Sequence, residues 1–219
     1  MPATARLDTG TAARTLTAGR AVILPNPSPL TYVATATNPQ AVNNAKGRPV
    51  DQEVALWVHD DTTWADLATR LDLTPTALHT ALTLLRDHLV TLLVPIRADT
   101  PPAWAAPALR DGHLLLFGAR WQPLIPLLTL FPRLYVSSAN RTGHPPAATA
   151  DQAAAMFGPD TPVVDADALR DTANPHAATT MLRIARDGGL AHIRHGAQDR
   201  VHGADPARYL EHLRAATTR

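Results

Sequence analysis

Leu134-Tyr135-Val136-Ser137-Ser138-Ala139-Asn140-Arg141-Thr142-Gly143 joins two kinds of sequence within ten residues. Its first part, Leu134 to Ser137, has the length and composition of a strand. The rest, from Ser137 to Gly143, is packed with small hydroxyl and amide side chains. Open α/β sheets bind ligands beyond the carboxyl ends of their strands, where small polar groups and free backbone N–H groups can cradle a phosphate or a base. An ordinary strand-to-helix turn also favours Ser, Asn and Gly. The stretch alone fits either reading.

Outward from this point, strand-like and helix-like segments interleave. Asp8 can cap a helix running to Ala18, stopped by Gly19. Ala21–Leu24 reads as a buried strand, and Pro25, Pro27 and Pro29 force an extended loop after it. Tyr32–Ala36 reads as a strand. Asn38-Pro39 reads as a cap and first-turn proline for a helix to Ala45. Val54–Val58, Val90–Ile96 and His113–Phe117 have strand length. Thr63–Leu71 and Pro75–Asp87 read as helices, the second supported by Leu78, Leu82 and Leu85. Pro101–Pro107 reads as loop and Pro123–Leu130 as a short helix. Beyond the opening stretch, Asp151–Phe157 is a predicted helix. Pro162–Val164, Thr179–Ile184 and Ala191–Arg194 are predicted strands, and Asp205-Pro206 opens a last helix to Ala216. At least six strands alternating with helices predict an α/β or α+β fold with helices packed on a sheet. The 219 residues suit one core better than two, so a single domain over 1–219 is expected.

Composition narrows the function. Apolar residues make up 45% and charged residues 18%, a globular balance. The net charge of +1 gives no overall attraction to nucleic acid or anionic membrane, which leaves only a local basic cleft for such a role. Without cysteine, disulfides, thiolate metal sites and thiol nucleophiles are excluded. Residues 1–24 hold no apolar run of secretory type, and Leu124–Phe131 is too short to span a bilayer, so a soluble, cytoplasmic protein with no membrane partner is expected.

One lysine stands against nineteen arginines. Where arginine serves for generic positive charge, a retained lysine points to a place that needs a compact ammonium. It lies in Lys46-Gly47-Arg48-Pro49, where two cations share an irregular backbone suited to phosphate oxygens. A helix end with cations against the dipole and glycine as the stop fits the same residues, and on spacing alone is the better account.

Taken in order, these pieces resemble the YrdC/YciO family, whose best-known members are threonylcarbamoyl-AMP synthases. Pro25-Asn26-Pro27-Ser28-Pro29-Leu30 resembles the family's Pro-Thr-x-Thr-x-Tyr-Gly loop. Lys46-Gly47-Arg48-Pro49 matches its Lys-x-Arg-Pro, and Ser138-Ala139-Asn140 with Gly143 matches its Ser-Ala-Asn-x-Ser-Gly. Thr179-Thr180 stands where Ser-Thr is usual, and Arg194-His195-Gly196 resembles the closing Arg-x-Gly. The resemblance covers residues 12 to 200, with 201–219 left as a C-terminal helix.

The resemblance implies a twisted mixed sheet with helices around a positively charged cavity. It implies a nucleotidyltransferase that joins threonine, bicarbonate and ATP with Mg²⁺ into threonylcarbamoyl-adenylate, releasing pyrophosphate, for the threonylcarbamoyladenosine modification of tRNA. Lys46 and Arg48 are the implied catalytic residues. Together with Gln52, Ser138, Asn140 and Arg194 they are the implied nucleotide-binding set. Ser28, Trp57, Phe117, Thr179 and Thr180 are the implied substrate contacts. The expected partners are the nucleotide and a small-molecule acceptor, with either an indirect link to tRNA-modifying enzymes or direct RNA binding.

The departures from the pattern cluster on the amino-acid side. Trp57 falls where a threonine-contacting histidine is common, and Phe117 where an arginine grips the carboxylate. Losing that charge-assisted pair removes on the order of a few kcal/mol. Two alternatives therefore stand beside the synthase: a non-catalytic nucleotide- or RNA-binding relative, and a carbamoyl-adenylate enzyme with a different acceptor in a specialised pathway. The ten histidines show no zinc-ligand spacing and are expected to be solvated or hydrogen-bonded, so no side-chain metal cluster is expected and Mg²⁺ would arrive on the ATP phosphates. His192 and Arg194, two apart on a strand, are expected to share a face.

Overall fold

The computed structural model describes residues 7–97, 101–171 and 174–217. In chain order its elements are α1 (Gly10–Thr17), β1 (Val22–Leu24), β2 (Val33–Ala36), α2 (Pro39–Lys46), β3 (Ala55–Trp57), α3 (Asp61–Ala68), α4 (Pro75–Arg86) and β4 (Thr91–Pro95). There follow β5 (Leu109–Arg110), β6 (His113–Phe117), α5 (Ile125–Leu128), β7 (Tyr135–Ser138), α6 (Ala150–Phe157), β8 (Met181–Ile184), β9 (Leu190–Arg194), α7 (Ala197–Arg200) and α8 (Pro206–Thr217). The mixed α/β class expected from the interleaving is what forms. None of its helices is long and apolar enough to cross a membrane among the described residues.

The chain divides into two compact units, each made of two segments. The first comprises Met1–Gln52 and Arg120–Ala177. Its strands pair antiparallel in the order β1-β2-β7, with Leu24 opposite Val33, and Val33 opposite Ser138 on its other side. All of β1 and β2 is buried, as their small and apolar sequences require of strands covered on both faces. Thr35, the one hydroxyl there, donates to the Tyr135 carbonyl at 2.8 Å. Helix α2 packs on β2 and β7. Its ends are as the sequence predicts: the Asn38 side chain accepts from the Gln40 N–H at 2.9 Å, Pro39 opens the first turn, and Gly47 closes it at φ +64°.

The second unit comprises Glu53–Ala119 and Ala178–Arg219. Strand β6 lies parallel to β3 and antiparallel to β4, β4 is parallel to β8, and β8 is antiparallel to β9. Thr74 caps α4 by accepting from the Ala77 N–H at 3.3 Å. Leu84 and Leu85 of that helix are fully buried. Gly118 follows β6 because a Cβ there would lie 2.3 Å from the Leu85 carbonyl oxygen.

Several predicted elements differ, and three show why. Pro101–Pro107 is not all loop: Ala103–Ala108 forms a 3₁₀ helix whose buried Ala105 and Ala108 face the unit's core. Pro162–Val164 makes a single bridge to Ile23 and no strand, since Pro162 can only accept; the Ile23 N–H bonds its carbonyl at 2.8 Å. The strand predicted from Thr179 begins at Met181, because the Thr180 N–H turns to the Gln198 side chain at 2.7 Å.

Candidate functional site

In the first unit, Lys46 is the last residue of α2 and only 5% exposed. Its ammonium donates to the Ser138 carbonyl and, at 2.9 Å, to Asn140 Oδ1. Helix α2 and the end of β7 thus meet at one cation. The two stretches that resembled family motifs, 92 residues apart, form a single structure. The Ser138 hydroxyl donates to the same Asn140 oxygen at 2.6 Å, and Asn140 Nδ2 donates to the His144 carbonyl at 2.9 Å. The amide orientation is therefore fixed, with its oxygen toward Lys46. Burial, and secondarily the nearby Arg48 charge, push the Lys46 ammonium down to about 7.

Asn43 holds the turn after Lys46. It is fully buried, and its Nδ2 donates to the carbonyls of Val50 and Gln52 at 3.0 and 2.8 Å. Its Oδ1 accepts from Arg48 Nε at 2.5 Å, so Arg48 is positioned beside Lys46 by one amide. Gln52 contributes its backbone to this turn and is itself exposed. A buried lysine and an oriented guanidinium form a place where an anion would be favourable.

The proline-rich loop belongs to the same unit. Asn26 Nδ2 donates to the Thr31 carbonyl at 2.8 Å, and the Ser28–Pro29 peptide is cis. Ser28 donates to the Asp171 carbonyl at 2.9 Å and lies 3.3 Å from His176 Nε2. The residue that holds this loop was not singled out in the sequence. Buried Arg170 donates to the carbonyls of Asn26 (3.0 Å), Ala148 (2.8 Å) and Leu30. It also pairs with Asp167 at 3.1 Å and stacks 4.6 Å over the Tyr32 ring. No signal distinguished it among nineteen arginines.

The remaining expected residues lie in the second unit. Trp57 and Phe117, opposed in the β3–β6 register, are both buried and meet edge to face with centroids 5.3 Å apart. The Trp57 indole N–H donates to the Ala119 carbonyl at 2.7 Å. Two ionisable side chains missed in the sequence lie just beyond these positions. His59 is buried, with Nδ1 3.1 Å from the Trp57 carbonyl and Nε2 3.6 Å from Asp60. Arg120, which begins the first unit's second segment, is half-buried. The signal for both was a polar residue at the edge of an apolar run.

Thr179 and Thr180 are buried; the Thr179 hydroxyl meets that of Thr91 at 2.5 Å, and the Arg194 guanidinium donates to the Thr179 carbonyl at 3.1 Å. Gly196 is dictated by contact: a Cβ there would lie 2.1 Å from the Thr180 nitrogen. His192 and Arg194 do not share a face, contrary to expectation. Arg194 pairs with Met181 and His192 with the next residue, Leu182, so Ile193 is an extra residue that reverses the alternation.

No family model and no curated protein sequence matches the chain. Solved structures do. Sua5 from P. abyssi, solved with L-threonine, matches with a TM-score of 0.62 at 18% identity, over 85% of this chain and 53% of that one. HypF, solved with phosphate and nucleotide, matches with a TM-score of 0.65 at 14% identity, over 86% of this chain and 29% of that one. YciO from E. coli matches with a TM-score of 0.61 at 12% identity, over 86% and 89%. The chain thus spans about half the length of the Sua5 protein and most of YciO. At these identities the likeness is one of fold, and the chain carries the YrdC/YciO-like fold in a divergent form.

Proposed function

We propose that the chain forms a carbamoyl-adenylate from ATP, bicarbonate and an amino-acid-like acceptor, with the Lys46 centre holding the nucleotide phosphates. In the reaction a carbamate carboxylate oxygen attacks the α-phosphorus, the new P–O bond forms, and pyrophosphate leaves. Such a step needs positioning and charge neutralisation more than covalent help. Lys46 and Arg48 supply the charge, and Ser138 and Asn140 orient it. ATP enters as its Mg²⁺ salt. The observation that carries the reading is the buried Lys46 ammonium tied to Asn140, a cation whose charge is fully expressed only when an anion joins it. The fold likeness to a threonine-bound Sua5 and a nucleotide-bound HypF supports it. Arg120, three positions beyond Phe117, is proposed as the cation that meets the carboxylate of an amino-acid acceptor. Threonine and the tRNA modification it serves are the leading case.

The test is incubation with ATP, Mg²⁺, bicarbonate and a panel of amino acids, following pyrophosphate release and detecting adenylates by mass. An adenylate with threonine supports the full reading, and one with another amino acid moves the acceptor. No adenylate, with ATP still bound, leaves a nucleotide-binding protein and overturns the enzyme. If Lys46→Met binds ATP as tightly as the parent, the site assignment fails.

A further inference from the structure

His192, His195 and Asp199 come together within eight residues of the second unit. The extra residue in β9 turns His192 away from the Arg194 face. Gly196 then seats against the backbone of Ala178, Thr179 and Thr180, and the Ala197 N–H bonds the Ala178 carbonyl at 2.8 Å. This fixes a sharp bend that lays the His195 ring 4.5 Å from the His192 ring. One turn of α7 brings in Asp199, which is completely buried.

Asp199 uses its two oxygens differently. Oδ1 accepts from the Gly196 N–H at 3.1 Å, a local cap that locks the carboxylate plane. Oδ2 lies 2.7 Å from His192 Nε2 and 2.8 Å from His195 Nδ1. The cap accounts for a buried aspartate. It does not account for two imidazoles aimed at the one remaining oxygen. The three donor atoms lie within 4.8 Å of one another, the one such group of three among the described residues.

We propose that His192 Nε2, His195 Nδ1 and Asp199 Oδ2 bind one divalent transition-metal ion of the Zn²⁺ class. Two imidazoles and a carboxylate, with a further position open, are a recurrent donor set for such ions. Bonds of about 2.0–2.2 Å to a tetrahedral ion set the donors somewhat further apart than hydrogen bonds do, so the rings must swing outward slightly. His195 has room to do so, with its side chain 56% exposed, and it marks the side of entry. Each ring gives up its N–H toward Oδ2 and keeps a proton on the other nitrogen. The Gly196 N–H on Oδ1 is the outer contact that orients the carboxylate.

A second observation points the same way. The Tyr209 hydroxyl is buried with no hydrogen-bond partner among the described residues. The charge of Asp199 reaches this hydroxyl, and a water held on the bound ion would give it a partner. His88, His202 and His212 do not make a rival: their rings lie 6.3 Å (His88 to His212) and 4.5 Å (His202 to His212) apart, and their donor atoms form no group of three within reach of one ion among the described residues.

The experiment uses the untagged full chain, stripped with chelator and titrated with Co²⁺ and then Zn²⁺. One equivalent of Co²⁺ should give visible ligand-field absorption that Zn²⁺ displaces, and Zn²⁺ should raise the thermal midpoint. His195→Ala, at an exposed position, and His192→Gln should each weaken binding at least about tenfold, a lower bound from the effect of outer contacts alone. The double variant His202→Ala/His212→Ala should bind as the parent does. Absence of stoichiometric binding overturns the proposal, as does binding that survives both ligand variants or disappears in the double variant. Circular dichroism of each stripped variant separates a lost ligand from a lost fold.

Discussion

Replacing Lys46 by Met keeps an unbranched side chain, one atom shorter, and removes its charge. The consequence is a change in how stability depends on pH. An ordinary lysine titrates at 10.5, and burial lowers Lys46 to about 7 in the folded chain. Below pH 7 both folded and unfolded chains carry the charge, so the cost of burying it is fully present. Between pH 7 and 10.5 the folded chain sheds this proton while the unfolded chain keeps it. The unfolded state then binds more protons, and stability rises with pH. From pH 7 to pH 9 the gain amounts to about 2 kcal/mol. Urea unfolding of the ligand-free parent and Lys46→Met at pH 7, 8 and 9 measures it. The Ser138 carbonyl and Asn140 lose a donor in the variant, but that offset is the same at every pH. The difference between the two proteins should narrow or reverse by about 2 kcal/mol in the parent's favour over this range, an urea midpoint shift of about 1 M. Parallel profiles would refute the account of Lys46 as a buried, partly discharged ammonium.

Nucleotide binding should recharge it. Calorimetry of ATP binding at pH 8, in buffers of different ionisation enthalpy, should show uptake of about 0.9 proton in the parent and almost none in Lys46→Met. Arg170→Met strips the carbonyls of Asn26, Leu30 and Ala148 of this donor and removes the cation beside Asp167, which keeps the Tyr32 hydroxyl and the Ala150 N–H; thermal or chemical melting should record a loss of about 2–4 kcal/mol. Arg170→Lys should recover little of it, because one ammonium cannot reproduce the planar fork. Gly196→Ala should cost far more than Gly47→Ala. The first forces a Cβ into the Thr180 backbone, whereas the second meets open space and only the left-handed backbone cost of about 1–2 kcal/mol. Equal melting temperatures for the two glycine variants would contradict the close approach.

Local chemistry is what the sequence displayed most clearly. Asn38-Pro39 before α2 was readable because capping and first-turn proline act within four residues, and the predicted helix from Pro75 starts where α4 does. His113–Phe117 was readable to the residue because its apolar run is bounded on both sides. Lys46 could be singled out by rarity, yet its partners could not, since the contact to Asn140 spans 94 residues. Arg170 stayed hidden for the same reason: its carbonyl partners Asn26 and Leu30 are about 140 residues away. The grouping of His192, His195 and Asp199 was not read from the sequence, because the extra residue at Ile193 that gathers it depends on pairing with β8.

The division into two-segment units has a consequence for synthesis. The chain passes between units at 52/53, 119/120 and 177/178. As it emerges from the ribosome, the first unit has all its residues once Ala177 is out. The second is then still missing Ala178–Arg219, including β8 and β9. Strand β4 therefore waits with one edge unpaired until Met181 to Arg183 arrive some ninety residues after Thr91 to Leu93. An apolar strand exposed for that interval is a site for a chaperone or for self-association. It makes the timing of translation, and not only the final contacts, a determinant of how much native protein is recovered.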